Sequence, residues 1–268
     1  EINGLPVRYI KAKAFQNKTN IRSVVFPEGL FKIEDNAFQN CKALQSVQMS
    51  SSITSIGKNC FDGDTSLQTV QFSKDGQLKT IGSYAFNDTI VTSVDLPDAL
   101  TTINEGAFKS CKSLQSVQFG KNTKTIGFRA FQGNVSLTGI EFPEGLETIA
   151  EGAFYSCTNL SGRIVIPSTV TEIGQPLQDM LWENSPSGAF EGTAIQEVEI
   201  KDGNEPLVLD DYSFKNCKQL EKVTFSSRLK NIGTEAFKYC SKLKEAVFEP
   251  GSNSLEIGEK AFEEAAVE

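Results

Sequence analysis

Cysteine is the residue type whose number first suggests chemistry here, because the sequence has six cysteines and no histidine. The absence of histidine excludes Ser–His and Cys–His catalysis, histidine-ligated metal sites and the imidazole pH switch. No Cys-x-x-Cys pair is present, which argues against a zinc site. The thiols are therefore left with two roles, as disulfide partners in an exported protein or as small buried side chains.

The acidic residues show no catalytic or ligand-binding pattern of their own. Asp62-Gly63-Asp64 lacks the alternating spacing and the distal Glu of a calcium loop, so we interpret it as a solvated turn. No spacing marks two carboxylates as an acid–base pair, and no glycine-rich phosphate-binding motif occurs. We expect no catalytic residue, no cofactor and no metal.

The composition limits the partners further. The 268 residues include 26 Lys and Arg against 34 Asp and Glu, a net charge of −8. That charge opposes binding to phosphate backbones and to anionic lipid. No apolar run approaches the roughly 18 residues of a membrane helix. We therefore expect neither nucleic-acid binding nor membrane insertion by this segment, and we expect a monomer.

Phenylalanine is the residue that shows how the chain is organised, with 19 copies against a single tryptophan. Eleven of them recur at intervals of 22 to 25 residues, apart from one interval of 36, and Ala precedes nine of the eleven. These anchor phenylalanines are Phe15, Phe38, Phe61, Phe86, Phe108, Phe131, Phe154, Phe190, Phe214, Phe237 and Phe262. An internal repeat of this length predicts a solenoid, because one unit cannot bury its apolar face alone.

The full unit reads L-x-x-V-x-F-(P/S)-x-x-L-x-x-I-G-x-x-A-F-x-x-C-x-x. Its V-x-F pair has a period of two, which predicts one short inward-facing strand per repeat. The I-G-x-x-A-F stretch is interpreted as a tight return, with Gly where φ is unusual or space is short. We predict a single solenoid over residues 1–268, with about eleven repeats, a partial repeat at the N-terminus and an insertion at about 175–187.

This unit resembles the BspA-like, treponemal type of leucine-rich repeat, and the resemblance extends from Ile10 to Phe262. It implies short parallel strands on a concave face, with tight turns or short helical segments on the return side. It also implies a secreted or surface-anchored bacterial protein that adheres to host matrix proteins, to other bacteria or to host receptors. The resemblance carries no catalytic residues over to this chain.

Five of the cysteines occupy one position of the repeat, three residues after the anchor phenylalanine: Cys41, Cys111, Cys157, Cys217 and Cys240. Cys60 takes the Ala position of its own repeat. We interpret all six as small buried side chains. Cys217 and Cys240 fall in adjacent repeats, about 5 Å apart by strand spacing, so a disulfide between them stays open.

The insertion offers the first candidate binding residues. It contains the single tryptophan, Trp182, beside Met180 and Leu181. Pro176 could start a short helix whose apolar stripe includes Met180 and Leu181. The insertion is then either a knob that presents Trp182 to a partner or a helix packed against the solenoid edge.

The outward residues of the V-x-F strands offer the second candidate surface. They are mostly Gln, Ser and Thr and become acidic toward Glu141, Glu197 and Glu199, with Gln118 typical of the polar part. No aromatic residue occurs among them, so this face could serve solubility alone. A partner bound there would be basic.

We therefore expect a non-enzymatic, extracellular adhesion module that binds a protein, or a glycan, of a host or neighbouring cell. The alternative is a structural spacer that holds another domain away from the cell surface. The insertion favours recognition, whereas the aromatic-free face favours the spacer.

Overall fold

The computed structural model describes residues 6–174, 187–250 and 254–267. Over these residues the chain forms short parallel strands joined by turns, with no helix. Each repeat stacks on the next in register, which confirms the predicted repeat solenoid. Of the two predictions for the return side, tight turns are observed and short helical segments are not in this part of the chain.

The longest sheet is formed by short strands that end at the recurring Ile of the repeat unit, or at Leu209 in one repeat, and Thr or Ser precedes this residue in five of the eleven strands. The prediction of one strand per repeat is therefore wrong, because this Thr-Ile ladder adds a second. β-branched residues favour the extended backbone, and the Ile side chains line up in register in the core. Its eleven strands are β1 (Tyr9–Ile10), β3 (Lys32–Ile33), β5 (Ser55–Ile56), β7 (Thr80–Ile81), β9 (Thr102–Ile103), β11 (Thr125–Ile126), β12 (Thr148–Ile149), β14 (Glu172–Ile173), β16 (Leu207–Leu209), β18 (Leu229–Ile232) and β20 (Glu256–Ile257).

The predicted V-x-F strands form a second ladder, which is divided into three separate sheets. Their Val and Ile side chains point inward and their flanking residues point outward, as the period of two predicts. The first sheet contains β2 (Ser23–Val25), β4 (Ser46–Gln48) and β6 (Thr69–Gln71). The second contains β8 (Ser93–Asp95) and β10 (Ser116–Gln118). The third contains β13 (Ser161–Ile166), β15 (Ala194–Ile200), β17 (Lys222–Phe225) and β19 (Glu245–Phe248).

The anchor phenylalanines form one continuous stack through the core. Neighbouring rings lie 4.9 to 5.4 Å apart between centroids, with interplanar angles of 2° to 12°. The backbone follows the same line, since the N–H of Phe108 donates to the carbonyl of Ala130 at 2.8 Å and the equivalent bond recurs along the stack. Only a small residue fits before each Phe because the chain is tightly packed there, and Ala107 and Ala130 are fully buried.

The Gly that follows the Thr-Ile strand is needed for close approach rather than for an unusual φ. A Cβ at Gly82 would lie 2.6 Å from the backbone carbon of Gly57 in the preceding repeat. Left-handed conformations instead occur two residues before and two residues after the anchor phenylalanine, as at Asn36 (φ 59°) and Asn40 (φ 59°). Among the glycines after Ile, Gly174 has a positive φ of 97°.

Candidate binding surface

The outward side chains of the V-x-F ladder form columns, because strands in register place equivalent residues about 4.8 Å apart. Ser46 lies beside Thr69 and Gln48 beside Gln71. Over β4 to β10 the exposed residues in and just before the strands are largely glutamines, and none of their amides makes a side-chain hydrogen bond in the described part of the chain. We call this set the amide half: Gln45, Gln48, Gln68, Gln71, Gln115 and Gln118.

The later repeats present charges on the same columns, and these charges pair with one another. Arg163 forms ion pairs with Glu197 at 3.7 Å and, more closely, with Glu199 on the neighbouring strand β15. Lys222 on β17 pairs with Glu245 on β19 at 3.0 Å. We call this set the charged half: Glu141, Arg163, Glu197, Glu199, Lys222 and Glu245.

The structure separates the predicted site residues into three groups. Gln118 and Glu141 are exposed, one repeat apart on the same column. Glu197 and Glu199 are partly buried, and both are paired to Arg163, so the predicted acidic face is partly neutralised. Trp182, Met180 and Leu181, with the rest of residues 175–186, lie outside the described residues.

The V-x-F ladder first opens between β6 and β8. At three other strands of the first two sheets the residue after the strand donates its N–H to the next repeat: Phe26 to the Gln48 carbonyl at 2.9 Å, and Met49 to the Gln71 carbonyl and Leu96 to the Gln118 carbonyl, both at 2.8 Å. Within the described residues Phe72 makes no such bond to Asp95. The repeat is longer here, and a turn at Ser73–Gly76 replaces the usual Pro-x-x-Leu connection.

This opening contains a cleft of about 660 Å³, which we call the amide cleft. Its walls come from four consecutive repeats and consist mainly of amide and hydroxyl side chains. They are Glu28, Gln48, Met49, Ser51, Gln68, Thr69, Val70, Gln71, Phe72, Ser73, Thr92, Ser93 and Asp95.

The ladder opens again on both sides of residues 139–142, which form no strand. Gly139 occupies the position where the five preceding repeats carry Ser or Thr, and Gly disfavours a strand. On the next strand, β13, the register shifts between Gly162 and Arg163, at a β-bulge. A cleft of about 410 Å³ results, which we call the charged cleft, lined by Ile140, Glu141, Phe142, Glu144, Arg163, Val165, Pro167, Glu199 and Lys201.

Both clefts are lined by an aromatic ring that comes from an inward position, although the outward residues themselves include no aromatic residue. Phe72 and Phe142 occupy inward V-x-F positions. Each ring remains partly exposed because the segment that contains it is not paired with the next strand of the ladder. Their rings are held edge-on by the anchor stack, Phe72 against Phe86 at 6.0 Å and Phe142 against Phe154 at 5.9 Å. A longer connection after Phe72 and a glycine before Phe142 are the sequence signals for these openings.

The cysteines are buried and unbridged. All six are free, so the Cys217–Cys240 disulfide that stayed open is not formed, and the interpretation of the six as small buried side chains is confirmed. In the repeated position each thiol donates to the carbonyl of the preceding anchor phenylalanine, for example Cys157 to Phe131 at 3.1 Å. Burial raises the pKa of the Cys157 thiol to about 12, so it stays protonated and unreactive.

Asp64 occupies the cysteine position of its own repeat and is fully buried, although the motif around it was interpreted as a solvated turn. Its Oδ1 accepts a hydrogen bond from the Cys41 N–H at 2.6 Å, and Oδ2 has no partner. Desolvation raises the pKa of this carboxyl to about 8. Because Asp64 is buried in the core and does not reach the ladder face, we assign it a structural role and not a binding role.

Neither a metal site nor a membrane span emerges from the described residues. They contain no group of three His, Cys, Asp or Glu side chains placed to hold a metal ion. Among their elements there is also no helix with the length and apolar character needed to cross a bilayer.

Comparison with known proteins gives a family match over nearly the whole chain. The model of the "BspA type Leucine rich repeat region" matches six copies, over residues 5–90, 79–177 and 183–268. A search of curated proteins gives no match.

Solved structures of similar fold come from bacterial leucine-rich repeat proteins. One from Bacteroides ovatus is 24% identical, covers 97% of this chain and 69% of its own, and has a TM-score of 0.69. The leucine-rich repeat protein of T. pallidum is 21% identical over 83% of this chain and 78% of its own, with a TM-score of 0.46. A leucine-rich cell surface protein of Faecalibacterium prausnitzii is 20% identical over 87% and 89%, with a TM-score of 0.34. The likeness in fold rests on the first of these.

Proposed function

Because this chain belongs to the family of BspA-type leucine-rich repeats, we propose that it is a non-enzymatic, extracellular protein-binding module of a bacterial surface protein. Adhesion to a host or neighbouring-cell protein is the role that this assignment gives it. The ladder face is the proposed contact surface, since its side chains are displayed on a scaffold whose backbone is held by hydrogen bonds between repeats. Such a rigid surface binds without a large ordering cost.

The observation that carries this proposal is the composition of the charged cleft. Specific protein interfaces are anchored by aromatic residues and arginine in a partly enclosed site. The cleft combines the partly exposed ring of Phe142 with Arg163, whose side chain is 54% exposed although it is ion-paired. An isolated polar face kept for solubility would need neither group.

The charges of the cleft define the partner. Glu141, Glu144, Glu197 and Glu199 face two cations, Arg163 and Lys201, at or beside the cleft. Glu141 has no ion-pair partner among the described residues, whereas Glu144 pairs with Lys201 at 2.5 Å. With a chain charge of −8, Glu141, which is unpaired in the described part of the chain, favours a partner with a basic patch, while the exposed guanidinium of Arg163 can donate to a carbonyl or carboxylate of the same partner.

The test is surface plasmon resonance of the purified chain against a panel of immobilised host matrix proteins and mucins. The Arg163→Ala and Glu141→Gln variants should weaken saturable binding by about tenfold or more. Lys222→Ala and Gln118→Ala are the matched controls, because they change the same two columns outside the cleft. Equal losses in the controls would remove the charged cleft as the binding site.

A further variant that lacks residues 175–186 tests the second candidate surface. Loss of binding in this variant, with its circular dichroism spectrum unchanged, would assign the contact to Trp182, Met180 and Leu181 instead. Retention of binding, together with loss in Arg163→Ala, would support the ladder face.

One observation favours the alternative function of a spacer. The Thr-Ile ladder is continuous through all eleven strands, and the anchor stack runs beside it without a gap. A rod of this kind would hold another domain away from the cell surface without binding anything itself. Absence of saturable binding across the whole panel would favour this function.

A further inference from the structure

We propose that the amide cleft between β6 and β8 binds a neutral oligosaccharide. This site is separate from the charged cleft, and its ligand belongs to a different class from the partner proposed above. Its volume of about 660 Å³ lies within the range of about 300–1,000 Å³ that is typical of small-ligand sites. The cleft extends from the paired strands β4 and β6 to β8, with which β6 forms no sheet.

The cleft has unused hydrogen-bonding capacity of the kind that sugars require. Gln48, Gln68 and Gln71 each present an amide that both donates and accepts. Hydroxyl groups of Thr69 and Ser93 lie beside them. None of these five side chains makes a hydrogen bond within the described part of the chain. A sugar hydroxyl also donates and accepts, so a polyhydroxylated ligand can satisfy this set.

The repeat places these amides at a useful spacing. Gln48 and Gln71 are partners in the parallel register of β4 and β6. Adjacent strands lie about 4.8 Å apart, which is of the same order as the length of one sugar ring. Successive rings of an extended chain would therefore meet successive amides along the column.

Phe72 supplies the apolar contact that a sugar ring also needs. Its side chain is partly exposed in the cleft, and its orientation is fixed by an edge-on contact with Phe86 at 6.0 Å and 82°. One face of a pyranose ring carries mainly C–H groups, which pack against aromatic rings. The adjacent buried side chains of Val70 and Met49 complete this apolar floor.

The charged groups at the rim favour a ligand without charge. Asp95 is paired to Lys74 at 3.0 Å. Glu28 accepts hydrogen bonds from the Ser51 N–H and hydroxyl, both at 2.9 Å, which lower the pKa of its carboxyl and keep it ionised. An anionic sugar would meet these two carboxylates, and the described residues that line the cleft include no Lys or Arg. A cation on the ligand would gain little from Asp95, because Lys74 already neutralises that carboxylate.

The experiment is isothermal titration calorimetry of the intact chain with tetrasaccharides in the cello, malto, xylo and galacto configurations. A galacturonic acid tetramer serves as the anionic probe. We expect saturable binding of at least one neutral tetrasaccharide and none of the anionic one. Gln71→Ala should weaken that binding by about tenfold or more, because one residue contributes both a donor and an acceptor. Phe72→Leu, which keeps apolar volume but removes the ring, should also weaken it several-fold.

Two matched controls separate this site from the rest of the face. Gln118→Ala changes the same ladder column outside the cleft, and Phe142→Leu changes the equivalent ring in the charged cleft. Both should leave the affinity within about twofold of the wild type.

Three outcomes would overturn the proposal. The first is that no neutral tetrasaccharide binds, and the second is that Gln118→Ala weakens binding as much as Gln71→Ala. The third is that Gln71→Ala abolishes binding to an enzymatically deglycosylated matrix protein, which would assign the cleft to a polypeptide. Loss of protein binding in Arg163→Ala with carbohydrate binding intact would separate the two proposed sites.

Discussion

The amide half and the charged half of the ladder face share one backbone frame but treat their outward positions in opposite ways. In the amide half, the side chains of six exposed glutamines make no hydrogen bond to any residue that the structure describes. In the charged half, Arg163 and Lys222 are satisfied by carboxylates on neighbouring strands. The inward Val, Ile and Phe residues keep both halves in the same register.

This difference shows that the stability of the fold and the binding properties of its surface depend on different positions of the repeat. Packing depends on the buried positions, which vary little from one repeat to the next, whereas the outward positions can change freely without a large effect on the fold. An uncommitted amide surface suits a neutral polar ligand. A surface whose charged side chains pair with one another suits a charged partner, because the partner's charged groups can replace one member of each pair.

The largest expected effect comes from breaking the frame that the two halves share. Phe131 is fully buried between Phe108 and Phe154, with ring centroids 5.4 Å away on each side. Phe131→Ala should reduce the free energy of unfolding by about 3–5 kcal/mol, since it leaves a cavity in the anchor stack. Urea denaturation followed by circular dichroism measures this change. A midpoint equal to that of the wild type would contradict the packing described here.

The next effect concerns the buried position three residues after the anchor phenylalanine, where one repeat of the amide half carries Asp64 although Cys41 and Cys111 hold the same position in other repeats of that half. Asp64 places a carboxyl there, whereas Cys217 and Cys240 place thiols. The pKa of Asp64 is raised to about 8 in the folded protein, so the folded state binds this proton more tightly than the unfolded state does. Wild-type stability should therefore fall as the pH rises from about 4 to about 8.

Asp64→Asn should remove that fall, because Asn carries no charge at any pH and can still accept the bond from the Cys41 N–H. At pH 8 the variant should be more stable than the wild type by roughly 1–3 kcal/mol, and the difference should shrink toward pH 4. Urea midpoints measured at several pH values test this. The control is Asp75→Asn on an exposed turn, and an identical pH profile in both variants would contradict the assignment.

The smallest expected effect is a change in stability when one outward side chain is removed from each half. Arg163→Ala removes an exposed ion-pair group of the charged half and should cost at most about 1 kcal/mol at low salt. The cost should decrease as salt is added, because salt screens exposed pairs. Gln118→Ala in the amide half should be neutral within about 0.5 kcal/mol and insensitive to salt. A salt-independent loss in Arg163→Ala would show that its aliphatic packing, not its charge, matters.

The sequence pattern was sufficient to predict the solenoid, the repeat length, the inward V-x-F pairs and the burial of the cysteines. These features depend on the spacing of apolar residues, which is visible along the chain. The Thr-Ile ladder was missed although a signal was present, since β-branched Thr precedes Ile at 80, 102, 125 and 148. A strand of two residues is too short for its own alternation to be recognised.

The binding surface was predicted less completely, because its character depends on contacts between repeats. The alternation of inward and outward residues along a strand was enough to assign four candidate residues to the outward face. They are Gln118, Glu141, Glu197 and Glu199, and all four lie on that face. The pairing of Arg163 with Glu197 could not be read from parity, since the two residues are 34 positions apart and meet through the register of β13 and β15. The partial exposure of Phe72 and Phe142 was missed for the same kind of reason.

The sequence by itself determined which residues repeat and therefore which side chains stack in the core, because burial of apolar surface follows the period of the chain. The tertiary structure alone decided which strands lose their hydrogen bonds at the longer connection and at Gly139, which carboxylates are neutralised and that Oδ2 of the buried Asp64 has no partner among the described residues. These features depend on hydrogen bonds and distances between neighbouring repeats. One extra residue at a bulge, or two extra residues in a connection, changes these hydrogen bonds and distances but leaves the spacing of the apolar residues intact.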